Sequence, residues 1–383
     1  MRQISALIAT SAVLIGGAVA LAQPSGTLVY VGTYTGEKSK GIYAFRFNQT
    51  SGVLTPVGLV AEAKSPSWLA LHPSGRFLYA ANETNDYDAG RSGAVSAYAI
   101  DGTTGALTLL NAQSSSGAHP CHLSVDKAGT HLVVANYTGG NLAVLPIGPD
   151  GKLGTATQVV QHTGSSVNSE RQKGPHAHSI DFDGDHRFAV SADLGADRLF
   201  VYKYDPNDGR LSAGLHPAVA AQPGAGPRHF AFHPNGRFGF AINELSSTIT
   251  SYSWDGQRGA LTTMATVPTL PRGVRASNST AEIRVHPGGR FLYGSNRGHD
   301  SIAVYAVNPA TGALTFVEHE PTRGKTPRNF TIDPTGQWLI AANQGSDTLA
   351  VFRIDTKDGS LTATGGLTTV GSPVAVIFGG SSG

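Results

Sequence analysis

Along the chain, apolar and polar residues alternate in short runs, and one such run, built around an aromatic and ending near Asp or Asn, recurs seven times. The copies are IYAFRFN (42–48), VSAYAID (95–101), LAVLPIG (142–148), LFVYKYD (199–205), ITSYSWD (249–255), IAVYAVN (302–308) and LAVFRID (349–355). Their fourth residues, Phe45, Tyr98, Leu145, Tyr202, Tyr252, Tyr305 and Phe352, lie about 51 residues apart on average, the spacing of propeller blades. A period of two buries one face of a strand, so each copy predicts a strand. No segment sustains a 3.6-residue apolar period, and almost no helix is expected.

The flanks of the repeat supply the rest of a sheet. Most copies are followed by a Gly-bearing turn and another short strand, as in TGALTLL from Thr104 and TGALTFV from Thr311, because Gly supplies hairpin geometry. Ahead of most copies, two strands are joined by a Gly turn: HPSGRFLYAAN within 66–82, HPNGRFGFAIN within 227–243, HPGGRFLYGSN within 280–296 and DPTGQWLIAAN within 327–343. Weaker versions span 120–136 and 177–193. Each unit is therefore a four-stranded antiparallel meander. Six are complete, while LVYVGTYT (28–35) lacks a first strand and SPVAVIF (372–378) is a first strand with nothing after it. Pairing these ends completes a seventh unit and removes the open sheet edges that invite aggregation. The expected fold is an all-β seven-bladed β-propeller, one domain over residues 23–383.

Composition narrows the context. An apolar fraction of 40% against 14% charged residues excludes a disordered chain. A net charge of +2 without a basic tract argues against nucleic acid or an anionic membrane surface as a partner. Residues 1–22 have the pattern of a signal peptide: Arg2, an apolar or small stretch from Ile4 to Leu21, and Ala20-Leu21-Ala22 before Gln23. The competing reading, a membrane anchor, is weakened by the Ser and Thr that interrupt the stretch. An exported protein, periplasmic or secreted and free of the membrane after cleavage, is expected. Cys121 is the sole cysteine, which excludes an intrachain disulfide and a cysteine zinc site.

Innermost strands of a propeller line its channel, so matched repeat positions encircle the mouth. The position after the leading Pro holds Ser67, Cys121, His178, Arg228, Ala281, Arg328 and Val374; the next holds Trp68, His122, Ser179, His229, Glu282, Asn329 and Ala375. A second ring follows the end of strand two: Tyr34, Glu83, Tyr137, Leu194, Glu244, Arg297 and Gln344. The recurring Asn82, Asn136, Asn243, Asn296 and Asn343 are too regular for a unique catalytic role and read as groups that satisfy backbone. His72, His233 and His286 precede Pro in a repeated turn and read as structural.

The segments GPRHFAFHPNGRFGFAINE, STAEIRVHPGGRFLYGSNRGHDSIAVY and PRNFTIDPTGQWLIAANQGSDTLAVF resemble the β-propeller lactonase family, which includes propeller-type 6-phosphogluconolactonases and fungal carboxy-cis,cis-muconate cyclases. The resemblance extends from about Thr27 to Phe378 and implies hydrolysis, or reversible closure, of a small-molecule lactone ring, with no cofactor. It also implies an active-site set of His, Arg, Glu and Arg, matching His178, Arg228, Glu244 and Arg297. Opening a lactone needs a base for water, a proton for the leaving oxygen and positive charge at the developing oxyanion. Glu244 is the candidate base, His178 the acid or shuttle, and Arg228 and Arg297 the anion clamps, since a guanidinium binds carboxylate or phosphate through two parallel bonds.

Each assignment has a plainer counterpart. Glu244 can be a structural partner of Arg228 or Arg297, and His178 a buried histidine, with His176 an equal claimant in PHAH. Glu282 and Glu83 are reserve carboxylates, His229 and His122 reserve imidazoles, and Arg328 is a further substrate contact for which a structural role is favoured. A divalent ion on Glu282, Asn243 and Asp193 is the rival arrangement, opposed by the arginine-rich mouth. The rival functions are a non-enzymatic binding propeller and a lactonising cycloisomerase.

Overall fold

The computed structural model describes residues 26–274 and 277–380, so the leader expected over residues 1–22 lies outside the described residues. The described chain forms seven four-stranded antiparallel sheets arranged as a propeller. Blades 1 to 6 span residues 66–114, 120–161, 177–220, 227–268, 279–321 and 327–369. Blade 7 takes its inner strand from Pro373–Phe378 and its other three from Thr27–Thr33, Gly41–Phe47 and Leu54–Glu62. The ring is thus closed where the repeat predicts, with Val29 opposite Phe378 and Val31 opposite Val376. A single 3-10 turn, Gln344–Ser346, is the helical content of the described residues. None of their helices is long and apolar enough to cross a membrane. Blade 2 also has an outer strand, Gln158–Gln161, shorter than the others and without their sequence signature.

The repeated aromatic positions explain what holds the blades together. The apolar core divides into seven clusters, one between each pair of neighbouring blades, and each holds one of the seven fourth residues. Tyr252 of blade 4 packs with Val190 and Val201 of blade 3, and Phe352 of blade 6 with Tyr293 and Val304 of blade 5. Burial of each aromatic contributes roughly 1.5–3 kcal/mol to one blade interface. The turn after the third strand adds a second lock. Gly312 adopts φ 69°, and a Cβ placed there would stand 2.6 Å from Cδ1 of Phe238 in the preceding blade. Histidines of the HP turns complete it, as His233 Nε2 meets the Gly289 carbonyl at 2.7 Å and His286 Nε2 that of Gly336 at 2.9 Å.

One irregularity shapes the mouth. In blades 1 to 6 the inner strand begins with a bulge: Pro227 pairs with Asn243 and His229 with Ile242, leaving Arg228 as the extra residue. A bulge re-aims side chains and breaks strict alternation. Consecutive residues therefore both reach the channel axis: Ser67 with Trp68, Arg228 with His229 and Arg328 with Asn329 line one central cavity.

Candidate active site

Two backbone bonds place Glu244, whose N–H donates to the Gly226 carbonyl at 2.7 Å and whose carbonyl accepts from Thr280 N at 3.3 Å. Its side chain then meets three guanidinium groups. Arg228 Nε donates to Oε2 at 3.1 Å, Arg297 Nη2 lies 3.0 Å from the same oxygen, and Arg171 Nη2 donates to Oε1 at 2.9 Å. Arg228 also donates to the Ala281 carbonyl, and Arg297 to that of Thr280, each at 2.7 Å. Burial raises the Glu244 carboxyl, but Arg297, Arg228 and Arg171 outweigh it and hold its pKa down at about 2. Glu244 is therefore a carboxylate throughout the physiological range, and in this resting arrangement a weak base.

Arg171 is the member that sequence reasoning missed. It stands in the connection between blades 2 and 3, the longest in the ring, and is bound to Tyr137 as well as Glu244. Gln172 anchors this loop by donating to the Leu194 carbonyl at 2.9 Å. The loop has no counterpart in the repeat, and its length was the only available signal.

Of the two histidines in PHAH, His178 is the one inside the channel. It is buried, with Nδ1 3.6 Å from Cys121 Sγ and its ring edge-on to His229. His176 stacks on Tyr137 with 4.4 Å between centroids, its Nδ1 at 2.9 Å from the Tyr137 carbonyl, nearer the rim. Burial, reinforced by Arg228, holds His178 well below the ordinary histidine range. Of the two roles expected for it, acid or shuttle, the neutral ring favours the shuttle, since a protonated imidazole is disfavoured beside Arg228.

His229 and Glu282 lie one step deeper on their strands. His229 Nδ1 is 3.3 Å from Glu282 Oε2, and both rest on a layer with Trp68 and His122. They border a cavity of about 350 Å³, shared with Asp181 and Arg284, that opens beside the HP turns on the opposite face from Glu244. His229 also borders the small central cavity beside Arg228, whereas Glu282 does not. Across the mouth, Tyr34 donates to Glu83 at 2.7 Å, and Arg328 lies over the Tyr34 ring with Glu83 at 3.9 Å. Between Arg228 and Arg328 the central cavity narrows to about 10 Å³, room for one water.

Two of the three oxygen donors considered for a divalent ion are engaged elsewhere: Asp193 accepts from His162 at 2.7 Å and from two backbone N–H groups, and Glu282 accepts from Asn329. Asn243, in contrast, donates through Nδ2 to Thr248 and Thr250, and its Oδ1 has no hydrogen-bond partner among the described residues. Among the described residues no group of three or more His, Cys, Asp or Glu side chains converges as a metal site. The recurring asparagines do satisfy backbone: Asn82, Asn136, Asn296 and Asn343 donate to carbonyls of the connection entering their own blade.

The whole seven-bladed chain has counterparts among known proteins. Residues 28–378 match the family described as lactonase, 7-bladed beta-propeller. The chain belongs to that family. This lactonase-family enzyme is 38% identical over 305 residues to a 6-phosphogluconolactonase of Bacillus subtilis, covering 79% of this chain and 84% of the relative. It is 37% identical to a 6-phosphogluconolactonase of Formosa agariphila, over 80% and 86% of the two chains. The solved periplasmic gluconolactonase of Pseudomonas aeruginosa superposes on the lactonase fold with a TM-score of 0.87 at 35% identity, covering 92% of this chain and 99% of that one. Family membership sets aside the reading of a non-enzymatic binding propeller.

Proposed function

We propose that this protein hydrolyses the ring ester of a sugar lactone at the Glu244 mouth and does so outside the cytoplasm. The observation that carries this reading is a single buried carboxylate held by Arg171, Arg228 and Arg297, which come from a loop and two blades. Likeness to 6-phosphogluconolactonases and to a periplasmic gluconolactonase supports the substrate class. The Arg2-to-Ala22 pattern and the same periplasmic relative support export.

In the proposed step, water adds to the lactone carbonyl carbon, the carbonyl oxygen takes up negative charge, and the ring C–O bond then breaks. Arg228 and Arg297 stabilise the oxyanion. As they turn part of their field to that charge, their hold on Glu244 weakens and its proton affinity rises, so the weak resting base strengthens when it is needed. The water proton passes by way of Glu244 and neutral His178 to the leaving ring oxygen, yielding a hydroxy acid. Arg171, with 42% of its side chain exposed, is the guanidinium best placed to meet an incoming anionic group.

The test is a panel of lactones, with and without phosphate, scored by acid release from the purified protein. Ring opening of an aldonolactone well above the spontaneous rate is expected. A protein that opens none of them, or that only closes rings, refutes the reading. Mass spectrometry of protein recovered from outside the cytoplasm should find an N-terminus near Gln23.

A further inference from the structure

We propose that Glu282 and His229 are positioning residues that hold the Arg228 guanidinium in the orientation that reaches Glu244. The inference rests on the ring-opening reading only for its activity readout. Arginine can only donate hydrogen bonds. Arg228 Nη1 lies 3.1 Å from His229 Nε2, so that nitrogen presents its lone pair and the ring proton belongs on Nδ1. Burial, with Arg228 and Arg284 adding to it, keeps the ring neutral, which leaves one proton to place.

On the far side of the ring, Nδ1 faces Glu282 Oε2 at 3.3 Å, an ion-pair approach and not an aligned hydrogen bond, and has no other polar partner. Glu282 is itself pinned. Its Oε1 accepts from Ile283 N at 3.1 Å, and its Oε2 from Asn329 Nδ2 at 2.5 Å. Asn329 in turn cannot flip its amide, because its Oδ1 accepts from Val376 N of the closing strand at 2.9 Å. Donor and acceptor roles are thus fixed from Val376 through Asn329 to Glu282, and from His229 through Arg228 to Glu244, the two halves meeting at the 3.3 Å approach of His229 Nδ1 to Glu282. Were the His229 proton on Nε2, it would oppose an Arg228 N–H, and the guanidinium would lose one of the bonds that set its plane. Glu282, His229 and Asn329 are all at most 3% exposed, so this support is preorganised before substrate arrives.

A double-mutant cycle tests the proposal. His229→Leu removes the acceptor, and His229→Gln keeps one toward Arg228. The Leu variant should lower kcat/KM for lactone hydrolysis about 10- to 100-fold, as loss of a supporting partner does, and the Gln variant should recover most of it. In an Arg228→Ala background the same Leu change should cost less than about twofold, since His229 then has nothing to orient. Equal losses in both backgrounds would overturn the proposal. Nitrogen-15 NMR of the His229 ring gives a readout independent of turnover: an Nδ1-protonated ring is expected in the wild type, and an Nε2-protonated ring would overturn the proposal even if lactonase activity is robust. A wild-type protein inactive on every lactone bears on the proposed reaction alone and leaves the tautomer measurement to decide this inference.

Discussion

Arg228 Nε donates to Glu244 Oε2 at 3.1 Å within one blade, so the candidate base and the candidate clamp are already paired before any substrate arrives. Replacing Glu244 by Gln keeps the shape but removes both the base and the counter-charge of three guanidiniums. Turnover should fall by roughly 10²–10⁴. Stability should fall too, by about 3–5 kcal/mol, because buried cations lose their partner. Initial rates measured well below the melting temperature, on protein shown to be folded by circular dichroism, separate the two effects. Full activity in the variant would remove Glu244 from catalysis.

The same pairing predicts how stability responds to acid. Burial raises the Glu244 carboxyl, but the three arginines hold it at about 2 against an ordinary 4.5, so folding favours the ionised form. A depressed carboxylate contributes stability that is full above pH 4.5 and lost as pH falls towards 2. Its size is about 3 kcal/mol. Denaturation of wild type and Glu244→Gln from pH 7 to pH 3 should show the difference between them shrinking below pH 4.5. A constant gap would show that the carboxylate charge is not what stabilises the fold.

Ring closure is open to a cruder test. Residues 373–378 supply the whole inner strand of blade 7, with Val374, Ala375 and Val376 buried. Deleting residues 373–383 exposes the edge of Thr27–Thr33 and the cores on either side. Loss of soluble expression, or a melting temperature lowered by more than about 10 °C, is expected. An unchanged melting temperature would contradict closure through this strand.

Chelation separates the arginine site from a metal site. With fixed guanidiniums as the electrostatic stabiliser, EDTA should leave lactonase activity within about twofold. Activity lost on chelation and restored by calcium or magnesium would return Asp193, Asn243 and Glu282 to consideration as ligands.

The blades and their closure were legible because one strand pattern recurs and its fourth residue, aromatic in six copies and Leu145 in the other, packs into an interblade core in every copy. Arg228, Glu244 and Arg297 stood out as departures from the repeat, and they do meet at the mouth. Arg171 was hidden because it belongs to no repeated position. The depth of His229 was hidden for a different reason. Alternation by two sends neighbours to opposite faces, and the bulge after Pro227 turns Arg228 and His229 together toward the axis. The charge state of His178 was also out of reach, since it depends on burial and on an arginine fifty positions away in sequence.

The seven interblade cores are built mainly from strand interiors, whereas Glu244, Arg228 and Arg297 occupy strand starts and ends. Assembly and chemistry are thus written in different registers of the same repeat. Exchanging a residue at a strand end therefore leaves the aromatic contacts of that blade in place, so the cost of such an exchange falls on the charge balance of the mouth and not on the packing that closes the ring.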